Sequence, residues 1–386
     1  MLTQCSPRMR FSTSIERQVR AQKLQKIKCS ALSDFAEPEF IIALGAIGTC
    51  AAIGKRFSQN TGRIENTDKL SEDPPLCVSS PSVLGKKKIF SWGAASNKGP
   101  REYMEDTWCV KEKNGKPFAD FLYAGVFDGH GGVGSSVFLR ESLFGILGRF
   151  FSKVSAVQFG RSTEYSCTDH MLKEAFQYAD GLLIDHISTL GDPECWSGST
   201  ATVCFVNKNC LMCANVGDSR AVLARNGKPI ELTQDHRPLG SSKSGRSEIE
   251  RINASGGWVV QGRVCGILGV SRAFGDYEFK GGRKELLNDL CASSDKQALR
   301  ANMEFPPVVA TPDFFEISLM AEDEFIILAT DGIWDTMNSA QAVTFVSSTL
   351  KRDPTITMNE LASALVERAL RSRSQDNIAC VIIDLR

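Results

Sequence analysis

The feature that most constrains this chain is a repeated local pattern, a short apolar run ending in Asp-Gly. It occurs where Phe121-Leu-Tyr-Ala-Gly-Val-Phe127 runs into Asp128-Gly-His-Gly-Gly132, and again where Glu324-Phe-Ile-Ile-Leu-Ala-Thr330 runs into Asp331-Gly-Ile-Trp-Asp335. Runs of this kind suit buried strands. A third carboxylate, Asp376, stands two residues before the strand Ile378-Ala-Cys-Val-Ile-Ile383. An Asp beside a strand is often only a turn former, and any one of these taken singly reads equally well that way. Gathered at one sheet edge, however, they would repel one another and be driven to protonate unless cations held them.

Carboxylates, a backbone carbonyl and water are hard oxygen donors, a set that suits Mg²⁺ or Mn²⁺ rather than zinc. Gly129 and Gly332 keep the backbone close enough for a carbonyl to join such a shell. Two ions about 3.5–4 Å apart can share a hydroxide, polarise a phosphoryl oxygen and stabilise an in-line displacement. Hydrolysis of a phosphate ester is therefore the natural chemistry. Arg101, just ahead of the acidic pair Glu105-Asp106, offers a planar fork for two phosphate oxygens, although such an arginine is more often a surface salt-bridge residue. His130, in the Gly-rich loop after Asp128, is suited to protonate a leaving seryl or threonyl oxygen.

The rest of the chain sets limits. Lys+Arg and Asp+Glu both number 45, so no net field draws the protein onto nucleic acid or an anionic membrane, and a nucleic-acid partner is not expected. The 13 cysteines are scattered without a disulfide framework, which points to a reducing compartment. Cys210 and Cys213 lie inside an apolar run with no second Cys or His pair at zinc spacing, so a core strand is expected there.

Residues 1–35 are basic, Ser-bearing and acid-poor, with seven Lys or Arg and Glu16 as the one acid before Leu32. They read as a transit peptide, with a disordered basic tail as the plainer alternative. Within 36–56 lies the uncharged stretch Phe40 to Gly54, whose 15 residues would span only about 22 Å as a helix against a hydrocarbon core of about 30 Å. A marginal membrane anchor, a second targeting segment and a docked helix all remain open for it. Residues 57–85 read as a linker and 86–386 as one catalytic domain.

Inside that domain, Cys210 to Val216 and Arg220 to Arg225 flank a Gly217-Asp218 turn, and Asn226-Gly227 is a further hairpin signal. Helical spacing appears at Leu172, Phe176, Ala179, Leu183 and Ile187, and at Leu361, Leu365 and Ala369. Strands that follow one another, with helices in separate blocks, favour an α+β layered fold with antiparallel sheets.

Eight segments in order then carry a family resemblance. They are Arg101-x-x-Met-Glu-Asp106, Val126-Phe-Asp-Gly-His-Gly-Gly132, Ser197-Gly-Ser-Thr-Ala201, Asn215-Val-Gly-Asp-Ser-Arg220, Leu232-Thr-x-Asp-His-Arg-Pro238, Val270-Ser-Arg-Ala-Phe-Gly-Asp276, Ala329-Thr-Asp-Gly-Ile-Trp-Asp335 and Ser374-x-Asp-Asn-Ile-Ala379. With them the chain resembles the type 2C (PPM) metal-dependent serine/threonine protein phosphatases. The resemblance implies a four-layer sandwich of two antiparallel β-sheets flanked by α-helices, with a dinuclear Mg/Mn site in the cleft and phosphorylated proteins as substrates. By motif match, Asp128 bridges the two metals, Gly129 offers its carbonyl, Asp331 and Asp376 hold one ion, and Glu105 and Asp106 act on the metal-water shell. Asp218 and Asp335 match positions of a third, weaker ion. A phosphoprotein-binding scaffold without catalysis is the alternative, but it would have lost ligands that are all present here.

Residues 236–280 are similar to plant and algal chloroplast members of the family, among them those acting on light-harvesting antenna proteins. The expectations that follow are a monomer in the stroma or on the stromal face of the thylakoid membrane. This sequence stops at Arg386, directly after the last core strand, without the C-terminal membrane segment expected of an antenna phosphatase, so attachment would fall to Phe40–Gly54. Lys280 to Pro307 falls at the family's variable flap and reads either as a substrate-contacting insertion or as a tolerated surface loop. The whole reading requires that Asp128, Asp331 and Asp376 meet without lysines or arginines neutralising them.

Overall fold

In the computed structural model of the protein, which describes residues 90–112, 115, 117–152, 165–190 and 196–386, the apolar runs become strands and the 3.6-period segments become helices. The described part opens with β1 (Ser91–Asn97), β2 (Thr107–Lys111), β3 (Leu122–Phe127) and β4 (Gly129–His130), then helices α1 (Gly134–Phe151) and α2 (Tyr165–Ile187). Next come β5 (Gly198–Ser199), β6 (Ala201–Val206), β7 (Cys210–Val216), β8 (Arg220–Arg225) and β9 (Lys228–Glu231). Helix α3 (Lys243–Ala254), strands β10 (Val259–Val260), β11 (Arg263–Val264) and β12 (Phe274–Gly275), and helix α4 (Arg283–Ala292) precede β13 (Asp313–Ser318) and β14 (Asp323–Ala329). Helices α5 (Asp331–Trp334), α6 (Ser339–Arg352) and α7 (Met358–Arg371) and strand β15 (Ile378–Asp384) complete it.

Two five-stranded antiparallel sheets dominate, in the orders β1-β15-β14-β8-β9 and β13-β7-β6-β3-β2. Strand periodicity sends alternate side chains to opposite faces. Leu122, Ala124 and Val126 of β3 join Ile326, Leu328, Val381 and Ile383 of the other sheet in a core between the sheets. Tyr123 and Phe127 point the other way, onto Leu139 and Leu143 of α1 and Phe176 and Leu183 of α2. In the second sheet Phe325, Ile327, Cys380 and Ile382 meet Val343 and Val346 of α6 and Leu361 and Leu365 of α7. Both faces of each sheet are thus covered, which explains why these strands read as continuous apolar runs rather than alternating ones. Each fully buried Leu, Ile or Phe contributes about 1.5–3 kcal/mol relative to exposure. The layers run helix, sheet, sheet, helix, as the resemblance implied, and α6 and α7 each begin with a capping box, Asn338 with Gln341 and Thr357 with Glu360.

Antiparallel pairing decides where the loops go. Thr107 at the start of β2 pairs with Phe127 at the end of β3, and Ala329 at the end of β14 pairs with Cys380 near the start of β15 and with Arg220 at the start of β8. The residues just before β2, β8 and β15 therefore share one rim with those just after β3, β7 and β14. The Gly217-Asp218 turn departs from the hairpin expectation, because β7 and β8 belong to different sheets. Gly217, at φ 103°, packs its α-carbon against Thr200 where no Cβ fits, and the chain there crosses from one sheet to the other. Asn226 (φ 50°) and Gly227 (φ 67°) do make the tight β8–β9 hairpin, both in the left-handed region that such a turn demands.

Residues 280–307 are more than a bare loop. Helix α4 and the 3-10 turns at Tyr277–Phe279 and Ala298–Arg300 share a small core of Phe279, Leu286, Ala298 and Met303 with Ile252 and Trp258. Cys210 and Cys213 are buried free thiols on β7. No helix among the described residues is long and apolar enough to cross a membrane. The expected transit peptide (1–35), apolar segment (36–56) and linker (57–85) lie outside the described residues.

Candidate active site

The shared rim collects the acidic residues. Asp128 follows β3, Asp218 lies in the crossover between β7 and β8, Asp331 opens α5 and Asp376 precedes β15. Carboxylate oxygens of Asp128, Asp218 and Asp331 all lie within 4.8 Å of one another. Asp335 sits one helical turn after Asp331, on the same face. Glu105 and Asp106 arrive from the segment before β2: Asp106 is 5% exposed and accepts from Thr330 Oγ1 at 2.7 Å, and the Glu105 carboxylate accepts from Gly132 N at 2.5 Å. At Gly129 an added Cβ would collide with the Glu105 carbonyl, so only glycine lets these two segments touch.

Electrostatics record the crowding. Burial, then the charges of Asp106, Asp331, Asp218 and Asp376, push the Asp128 carboxyl well above the usual range. Burial raises Asp106 to about 7 against the opposing hydrogen bond from Thr330. Asp331 is raised to about 8 by burial and by Asp218, Asp335 and Asp376.

Two arginines answer only part of this charge. Arg237 bonds Asp218 through Nε at 2.5 Å, Asp331 through Nη2 at 2.7 Å and Asp335 through Nη1 at 2.8 Å. Arg101, expected to face a phosphate, bonds Asp376 at 2.6 Å and the Gln375 carbonyl at 3.0 Å, with its side chain 53% exposed. Asp376 is therefore close enough to raise Asp128 and Asp331, yet one of its oxygens is engaged by Arg101. Among the described residues no lysine or arginine pairs with Asp106 or Asp128. The condition that basic groups stay out is met at that end of the site and not at the other.

His130 Nε2 lies 2.9 and 3.0 Å from the two carboxylate oxygens of Asp276. Burial alone would lower its pKa, but the Asp276 carboxylate, with Asp218 and Glu105 adding to it, holds the imidazole above its ordinary value. An added Cβ at Gly198 would collide with both His130 and Asp276.

Comparison with known proteins decides the family. The protein phosphatase 2C family matches residues 90–378, and protein phosphatase 2C 57 of Arabidopsis thaliana is 39% identical over 316 residues, 80% of this chain and 79% of that one. The chain belongs to the protein phosphatase 2C family. It is accordingly a metal-dependent protein serine/threonine phosphatase, of a family that uses Mg or Mn ions and acts on phosphoproteins. The probable protein phosphatase 2C 2 of Oryza sativa subsp. japonica is 33% identical over 326 residues, 81% of this chain and 76% of that one. The crystal structure of serine-threonine phosphatase 2C from Toxoplasma gondii, 22% identical, shares the fold with a TM-score of 0.59 over 81% of this chain and 99% of that one.

The residues of this phosphatase fit a divalent cation. The donors are hard oxygens, three of them converge, and the carboxyls they come from are short of positive charge. Several contributors escape single-residue reading. Asn377 is 4% exposed, accepts from Glu105 N at 2.7 Å and donates to the Lys98 and Tyr103 carbonyls, which pins the segment carrying Arg101 and Glu105. Asp276, Thr330 and Arg237 likewise sit inside or beside matched motifs, but only the fold reveals what each one touches.

Proposed function

We propose that this phosphatase hydrolyses phosphoserine and phosphothreonine at a dinuclear Mg/Mn site made by Asp128, the Gly129 carbonyl, Asp331, Asp376, Glu105 and Asp106, with Asp218 and Asp335 able to take a third ion. The observation that carries the reading is the convergence of Asp128, Asp218 and Asp331 within 4.8 Å, among carboxyls held above their usual range by burial and mutual repulsion. Bound there, divalent ions supply the charge that lets these groups ionise, an activated water and polarisation of a phosphoryl oxygen.

The chain's own groups do the rest. Arg101, half exposed at the rim and paired with Asp376 and the Gln375 carbonyl, would turn from them to take phosphate oxygens with its fork. Asp276 fixes the His130 ring through Nε2, and the proton for the leaving seryl or threonyl oxygen comes from Nδ1. The buried Thr330 and Asn377 keep Asp106 and the Glu105 segment in register with the rim.

In the cell, a chloroplast location with thylakoid phosphoproteins among the substrates is the corresponding proposal. The acid-poor basic segment 1–35, the apolar stretch Phe40 to Gly54 and the resemblance of 236–280 to chloroplast members support it. Equilibrium Mn²⁺ binding tests the site: two ions per chain are expected, with a weaker third. Full phosphopeptide turnover by Asp128→Asn, or one ion per chain in the wild type, would refute the dinuclear assignment.

A further inference from the structure

Arg237 stands apart from the other cations among the described residues. Its single guanidinium serves three carboxylates, Asp218, Asp331 and Asp335, at 2.5, 2.7 and 2.8 Å, and all three belong to the acidic rim. The backbone under it is fixed. His236 is fully buried; its Nδ1 accepts from Gly217 N at 3.1 Å, its Nε2 donates to Asp313 at 3.1 Å, and its carbonyl accepts from Ser271 N at 2.8 Å. Pro238 follows directly. The side chain beyond this anchor is 28% exposed and Asp335, its outermost partner, is 56% exposed, so solvent borders the clamp.

We propose that Arg237 is an internal counter-cation of the Asp218, Asp331 and Asp335 end of the rim, which a divalent ion must displace before it can load there. The inference rests on the metal reading above and adds a regulator of loading built from this chain's own residue. Its physics is competition for the same oxygens. The guanidinium brings one charge to three carboxylates, whereas a divalent ion brings two and approaches oxygen to about 2.0–2.1 Å for Mg²⁺. An ion taking up those oxygens must first release three charge-assisted hydrogen bonds, so its apparent affinity falls by the fraction of molecules in which the clamp is open. Asp106 and Asp128, without a basic partner among the described residues, incur no such loss. Loading that draws on Asp218, Asp331 and Asp335 is therefore weakened relative to loading on Asp106 and Asp128, and Asp331 is the carboxylate the two share.

The test is Mn²⁺ binding to the full chain, followed by the loss of the free-ion electron paramagnetic resonance signal and by calorimetry, for the wild type, Arg237→Gln and Arg237→Lys. Arg237→Gln is expected to bind its weakest ion at least about tenfold more tightly than the wild type, with a smaller gain at the dinuclear site, which shares Asp331 with the clamp. Arg237→Lys, a point charge that cannot fork across three carboxylates, should fall between them. If Arg237→Gln fails to fold without metal, Arg237→Lys carries the comparison against the wild type. A weakest-site affinity that is unchanged or reduced in the variant that folds overturns the proposal. Failure of the metal reading looks different, since wild type and variants alike would then bind no Mn²⁺ at micromolar concentrations.

Discussion

Glu248 on α3 and Asp106 ahead of β2 are nearly equally sealed from solvent, at 2% and 5% exposure, yet their surroundings drive them in opposite directions. Burial would raise Glu248, but Arg272 and Arg251 each grip one of its oxygens with two N–H groups, at 2.7 and 3.1 Å and at 2.9 and 3.3 Å, and hold it at about 2. Arg272 also reaches Asp313 at 2.8 Å, and Arg251 reaches the Ser271 carbonyl at 2.7 Å, so the network ties α3 to the body of the fold. Asp106 meets no cation among the described residues, only the Thr330 hydroxyl and the neighbouring Asp128 carboxyl, and burial raises it to about 7. A satisfied buried carboxylate serves architecture; an unsatisfied cluster is left for a cation that is not part of the polypeptide.

The comparison breaks most visibly at Asp128. Asp128→Asn should lower Mn²⁺-dependent phosphopeptide turnover by about a thousandfold or more, while the metal-free melting temperature stays level or rises, because a repelling charge is gone. Loss of metal-free stability would mean that the rim carboxylates hold the fold together after all. Glu248→Gln should do the reverse. Removing its charge strands two arginines and should cost about 3–5 kcal/mol in urea unfolding, with turnover per folded molecule kept.

A smaller effect is expected at His130. His130→Ala should slow phosphopeptide hydrolysis by about a hundredfold but an aryl phosphate far less, since a good leaving group needs little protonation. Equal losses on the two substrates would remove His130 from the acid role.

The mildest prediction concerns pH and separates the two carboxylate groups by sign. Asp106 and Asp331 have folded values raised to about 7 and about 8, above the ordinary 3.8. Their contribution in metal-free protein is fully present below about pH 4 and is lost as pH rises through 7 and 8. Glu248 is depressed from 4.5 to about 2, so its contribution is present above pH 4.5 and is lost as pH falls toward 2. Melting temperatures of metal-free protein should therefore fall on both sides of an acidic optimum. Saturating Mn²⁺ should abolish the alkaline fall alone, and a metal-insensitive alkaline fall would contradict the assignment of those raised groups to an ion site.

The sequence by itself determined the layered α+β class, the positions of the long strands and helices, and the identity of the acidic residues. Those are local properties: Leu361, Leu365 and Ala369 recur at helical spacing, and Phe325 to Ala329 form an apolar run, whatever surrounds them. Tertiary structure decided the rest. The crossover at Gly217 reads in sequence like any tight turn, and only the allotment of β7 and β8 to different sheets shows that it carries Asp218 to within 4.8 Å of Asp128 and Asp331. Arg237 lies 19 residues from Asp218 and 94 from Asp331, so no spacing rule could anticipate its three-way clamp. Charge compensation depends on distance through space, and distance through space is set by strand pairing.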